Sequence, residues 1–178
     1  RQRQMCIRDS LLEGFAPTYV SNYYDINWHQ LEKSKIIIFS PGPGNPSNNM
    51  ETQKVYKKYK GKKKIVGICL GFQQILYAEN AKIVPQKKIY HGYQSKVKAL
   101  KVSALFKPNK VFLTGRYHSL KLKEPFNSSS LKISMRCVES NVAMAIEDTI
   151  NNVYGFQFHP DSFLTVDGKF LIQKVLQF

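Results

Sequence analysis

Two runs of consecutive apolar residues organise the first half of the chain. Ile36-Ile37-Ile38-Phe39 and Ile65-Val66-Gly67-Ile68-Cys69 lack the alternation of a half-exposed strand. Such runs predict strands buried on both faces, as in a parallel sheet covered by helices. Residues 47–60 between them carry helix-forming side chains behind a Ser47 or Asn48 cap, so the order strand, loop, helix, strand forms a right-handed βαβ unit. A second helix is predicted over residues 72–79 with Ile75 and Leu76 inward. Weaker strand patterns follow at 82–84, 96–100, 111–113, 131–135, 142–146 and 153–158. Residues 127–130, Asn and three Ser, read as a surface loop, and 168–176 as a closing helix that buries Phe170, Leu171 and Val175. Residues 1–10 are polar and aperiodic, and are expected to be a non-native or disordered segment ahead of one α/β domain over 11–178.

Composition narrows the class. The chain has 178 residues, 43% hydrophobic and 22% charged, close to globular averages, which excludes wholesale disorder. No apolar run approaches the ~18 residues that span a bilayer, so no membrane association is expected. Three cysteines, Cys6, Cys69 and Cys137, make neither a disulfide framework nor a zinc ribbon and fit a reducing, cytoplasmic setting. The net charge of +15 raises nucleic acid as a partner. Its make-up argues against that, because 22 of the 27 basic residues are lysines and base-edge recognition favours arginine. The densest group, Lys57, Lys58, Lys60, Lys62, Lys63 and Lys64, follows a helix whose C-terminal dipole cations complement. No nucleic-acid partner is expected.

Three segments carry candidate chemistry. Gly67-Ile68-Cys69-Leu70-Gly71 has the Gly-x-nucleophile-x-Gly form of a tight strand-to-helix turn, where flanking glycines avoid colliding Cβ atoms and the helix N-terminus favours a thiolate. A small buried cysteine at a strand end is the plain alternative. Phe156-Gln157-Phe158-His159-Pro160-Asp161 then supplies an imidazole and a carboxylate on one loop, a base and an orienting group for a thiol, unless it is only a surface His-Pro turn. Ser40-Pro41-Gly42-Pro43-Gly44 follows a buried strand with glycines that let backbone amides approach a ligand, as oxyanion donors do. Lacking the Lys-Ser/Thr ending, it is not a nucleotide-phosphate loop.

With Gly115-Arg116-Tyr117-His118-Ser119-Leu120, these segments resemble the class I (triad) glutamine amidotransferases, most closely the glutaminase component of anthranilate synthase. The resemblance runs in family order from Ile36 to Phe178. It implies a three-layer domain with a mostly parallel central sheet flanked by helices, a flavodoxin-like core. It also implies Cys69, His159 and Asp161 as catalytic residues, with Leu70 and Gly42, Pro43 and Gly44 forming the oxyanion pocket. Gln73, Ser119 and Leu120 would hold L-glutamine, the last two through backbone. The implied partner is a chorismate-using synthase subunit, anthranilate synthase component I or its aminodeoxychorismate counterpart; a catalytically impaired binding subunit is the other alternative. No metal or cofactor is implied. His118 sits where a role in subunit coupling is plausible, His91-Gly92 resembles a loop near the glutamine pocket, and His29 reads as structural. Two departures stand out. Asp161 occupies the place of the family's usual glutamate, and residues 1–10 do not resemble the family's opening strand, so the domain is expected to lack its first strand and to be marginally stable.

Overall fold

The computed structural model describes residues 17–177. The expectations about residues 1–10 and a missing first strand fall outside the described residues. Helix α1 (Trp28–Lys33) precedes β1 (Ile36–Phe39), α2 (Met50–Tyr59), β2 (Lys64–Ile68) and α3 (Leu70–Ala78). There follow β3 (Ile83–Pro85), β4 (Tyr93–Ala99), β5 (Val111–Arg116), β6 (Leu120–Leu122), β7 (Lys132–Cys137), β8 (Ala143–Asp148), β9 (Val153–Phe156) and α4 (Gly168–Gln177). Seven strands form one sheet in the order β1-β2-β9-β8-β7-β4-β5, and β3 pairs with β6 apart from it.

The apolar runs make the parallel part of the sheet. Ile37 pairs with Ile65 and Phe39 with Gly67, while Gly67 pairs with Gly155 and Ile68 with Phe156. The outer pairings, β9-β8, β8-β7, β7-β4 and β4-β5, are antiparallel. Helices cover both faces, giving the expected three layers. Val55, Tyr56 and Tyr59 of α2 and Phe72, Ile75 and Leu76 of α3 pack with Ile37, Ile65 and Val153. On the other face Leu171 and Val175 of α4 pack with Val66, Tyr154, Phe156 and Phe158. Phe170, expected inside, is 44% exposed: the helix turns it to the rim, where it stacks on Phe112. Residues 47–60 are not one helix either. A 3₁₀ turn over Pro46–Asn48 comes first, and the cap of α2 is Asn49, whose side chain accepts from Thr52 N–H at 3.3 Å.

Parallel pairing decides where chemistry can gather. Because β1, β2 and β9 run the same way, the segments leaving their C-terminal ends emerge on one side of the sheet, the usual place for ligands in open α/β sheets. Those segments are residues 40–44, Cys69 and residues 157–161. The lysine group lies at the other end, tied to protein oxygens. Lys63 Nζ donates to the carbonyls of Glu32 and Ser34, Lys64 Nζ to those of Val175 and Leu176, and Lys58 and Lys60 pair with Glu32 and Glu79. These cations serve helix ends and neighbouring carboxylates. Among the described residues no helix is long and apolar enough to cross a membrane, and no cluster of three or more His, Cys, Asp or Glu side chains could hold a metal.

Candidate active site

Cys69 ends β2 and begins α3 with φ 54° and ψ −100°, a conformation that side-chain-bearing residues rarely adopt and that costs about 1–3 kcal/mol. Its N–H donates to Phe156 O at 2.7 Å, which anchors the turn to β9. The flanking glycines permit the bend by close approach. A Cβ on Gly67 would meet the Gly71 carbonyl at 2.6 Å, and one on Gly71 would meet Phe39 O at 2.1 Å. With Cys69 as N-cap, the first amides of α3 lack intrahelical partners, and Leu70 N–H is one of them.

His159 is fixed from three sides. Its N–H donates to Gly115 O at 2.9 Å, its carbonyl accepts from Thr165 Oγ1 at 2.5 Å, and Tyr117 meets its ring edge-on with centroids 5.0 Å apart. Thr165 Oγ1 in turn accepts from Gly115 N–H, so the end of β5 and the 159–165 loop form one unit. His159 Nδ1 stands 3.4 Å from Asp161 Oδ1. That is close enough for an ion pair but not for a well-formed hydrogen bond, and both atoms are buried with no hydrogen-bond partner. Burial pulls the imidazole pKa down; Asp161 and Cys69, both facing it, outweigh burial and lift it to about 9. The ring is thus poised to hold a proton between sulfur and carboxylate.

The remaining predicted residues are placed unevenly. Gly42 lies against Leu70: a Cβ there would sit 3.2 Å from Leu70 Cδ2. This brings the 40–44 loop over the start of α3. Pro43 and Gly44 are exposed, and Gly44 has φ +100°, a backbone conformation that favours glycine. Gln73 is buried, and its Nε2 donates to Gln157 Oε1 at 3.0 Å. Ser119 is exposed and Leu120 half-buried; their carbonyls accept from Gln86 N–H and His118 Nδ1–H. They follow Tyr117, whose ring meets that of His159, on the same segment.

His118 is a buried neutral group. Its Nδ1–H donates to Leu120 O at 2.8 Å and its Nε2 accepts from Arg116 Nε–H at 3.1 Å. Burial drives its pKa down to about 4, with the charges of Arg116 and His159 pushing the same way against the Leu120 hydrogen bond. Arg116 is itself fully buried, its guanidinium 3.5 Å from the centroid of the Tyr90 ring. His91 packs edge-on to Tyr117, and His29 is exposed. Sequence reasoning passed over Gln157, Tyr117 and Thr165. Only Gln157 left a local signal, a lone amide between two core phenylalanines. Two open surface hollows of about 560 and 620 Å³ lie elsewhere, beside residues 121–124 and at the lysine-rich end of β1 and β2. Convergent chemistry, not hollow size, locates the site.

A thiol on a strained turn, a buried imidazole beside it and a carboxylate behind form a Cys-His-Asp constellation. The family model "Glutamine amidotransferase class-I" matches residues 3–177. The chain belongs to the class I glutamine amidotransferases. This amidotransferase is 35% identical over 156 residues to the anthranilate synthase component 2 of Lactococcus lactis subsp. lactis, covering 86% of this chain and 78% of that one. It is likewise 35% identical over 149 residues to the Helicobacter pylori (strain ATCC 700392 / 26695) protein of the same name, covering 82% and 73%. Its fold is shared by a Thermoplasma acidophilum protein described as a GMP synthase subunit. The two superpose with a TM-score of 0.82 at 18% identity, covering 97% of this chain and 86% of that one.

Proposed function

We propose that this amidotransferase hydrolyses L-glutamine through a Cys69 thioester and delivers the ammonia to a synthase subunit that makes anthranilate from chorismate. The observation that carries the chemistry is the strained Cys69 turn facing His159, with Asp161 3.4 Å behind the ring. The choice of partner is supported by similarity to proteins named anthranilate synthase component 2.

Cys69 gives its proton to His159 and its sulfur attacks the carboxamide carbon. The S–C bond forms and the carbonyl electron pair moves to oxygen. The Leu70 amide and the 42–44 loop face that oxygen, where fixed donors stabilise charge best. His159 returns the proton to nitrogen as the C–N bond breaks and ammonia leaves. The ring then takes a proton from water as it attacks the thioester, and glutamate departs with the sulfur restored. Asp161 holds the imidazole and balances its charge. Gln73, Ser119 and Leu120 bind the substrate in this scheme.

Glutamate release by the purified chain, alone and with an anthranilate synthase component I, tests the proposal, alongside glutamine-dependent conversion of chorismate to anthranilate. Cys69→Ala is expected to remove glutamate release in both assays while leaving ammonia-dependent synthesis in the mixture. Persistence of glutamine hydrolysis in Cys69→Ala would overturn the mechanism. Formation of aminodeoxychorismate with its own synthase, and none of anthranilate, would move the partner to the alternative branch.

A further inference from the structure

Gln157 is an anomaly just past the end of β9. Phe156 and Phe158 on either side are core residues, with ring centroids 4.9 Å apart, while the Gln157 side chain reaches Gln73 of α3. The amide is fully buried, a placement that is costly for an amide without partners. Its backbone is committed elsewhere, the N–H donating to Met144 O at 2.9 Å. The side chain bridges two residues of the site. Gln157 Oε1 accepts from Gln73 Nε2 at 3.0 Å, and Gln157 Nε2 donates to Cys69 Sγ at 3.9 Å.

The donor direction matters at both ends. An amide has one acceptor oxygen and one donor nitrogen, so using Gln157 Oε1 for Gln73 leaves its nitrogen for the sulfur. Using Gln73 Nε2 for Gln157 leaves Gln73 Oε1 as a free acceptor, complementary to an N–H group of a substrate and not to a carboxylate. His159, on the same strand extension, is the charged group that meets the sulfur, with Asp161 behind it. Gln157 adds a neutral donor fixed by the fold.

We propose that Gln157 is a positioning residue whose buried amide couples the two halves of the site, donating to the Cys69 sulfur and setting Gln73 with its oxygen toward an N–H group of glutamine. The inference rests on the reading of Cys69 as the nucleophile that attacks glutamine. It predicts that the sulfur's reactivity depends on the Gln73 side chain, whose amide reaches the sulfur through Gln157.

The test uses the full chain as wild type, Gln157→Met, Gln73→Met and the double variant, with Gln157→Asn as a milder substitution should the methionine variant fail to fold. Alkylation of Cys69 by iodoacetamide at neutral pH and the thiolate absorbance at 240 nm across pH are read against Cys69→Ala; glutamine kcat and KM are measured in parallel. Gln157→Met is expected to slow alkylation about tenfold, the worth of a hydrogen bond to a charged atom, and to move the thiolate signal to higher pH. Gln157→Asn should move both in the same direction by less. Gln73→Met should raise KM and also slow alkylation, and the double variant should fall short of the product of the single effects, as coupled residues do. Unchanged alkylation and absorbance in a folded Gln157 variant, or strictly multiplicative effects, would overturn the relay. These thiol readouts do not require turnover. Wild-type protein that shows the relay but no Cys69-dependent hydrolysis would sink the functional reading alone.

Discussion

His159 and His118 are buried almost equally, at 5% and 4% exposure, yet their surroundings drive them to opposite charge states. His159 lies between a sulfur and a carboxylate, and its pKa is lifted to about 9. His118 lies between a guanidinium and a backbone carbonyl, and its pKa falls to about 4. Burial disfavours the charged form of both rings; the neighbours decide the outcome. The first arrangement keeps a proton available for transfer. The second locks one tautomer and so pins the 118–120 segment. The proposed mechanism thus gives one ring to chemistry, and the fold uses the other as carpentry.

The sharpest way to break this contrast is to delete each ring. His159→Ala is expected to lower glutamine hydrolysis by about 10⁶-fold, the scale seen when a triad base is removed. His118→Ala should change the rate far less while lowering unfolding free energy by about 2 kcal/mol, because Arg116 Nε–H and Leu120 O lose a buried partner. Steady-state kinetics and urea unfolding on both variants check the pair. Equal kinetic losses would erase the division of labour.

Asp161→Glu comes next. The aspartate leaves a 3.4 Å gap with both facing atoms lacking hydrogen bonds, and one more methylene brings the carboxylate within reach of Nδ1. A rise in kcat of up to about tenfold is expected, since small misplacements at a reacting centre are costly. A rate equal to or below that of the parent would show that the gap is not limiting.

The pH dependence of stability extends the comparison, and its two limbs have different owners. His118, with its folded pKa depressed, is neutral in the fold and protonates on unfolding, so stability is lost as pH falls from about 6.5 to 4, by up to about 3 kcal/mol. His159, with its folded pKa raised, contributes stability that is complete below pH 6.5 and disappears as pH rises through about 9. Urea midpoints measured across pH should therefore decline on both sides. His118→Gln should flatten the acid limb only, and Asp161→Asn should weaken the alkaline one.

Local chemistry announced the parallel half of this molecule. β1 and β2 stand out as unbroken β-branched runs because both of their faces are covered, and the glycines of the Cys69 turn mark contacts too close for a Cβ. The antiparallel half was blurred: β4 begins at Tyr93, three residues before its expected start, because the polar Gln94 and Ser95 interrupt the apolar pattern. β6, a three-residue strand, and α1, which has no fully buried side chain, left too little pattern to read. Within the site, the thiol, imidazole and carboxylate were legible as motifs. Gln157 was hidden because its significance is a contact with Gln73, 84 positions away, made only when β9 lies beside β2. Phe170 misled for the converse reason, since its apolarity reads as core although the helix places it at a rim.

The approach of Gly71 to the last carbonyl of β1 welds the tip of that strand to the first turn of a helix. Strand tip and helix start move as one piece. Any shift of β1 would therefore carry the loop beyond it and the sulfur together, and the slot in which the proposed mechanism seats a negative oxygen would keep its width.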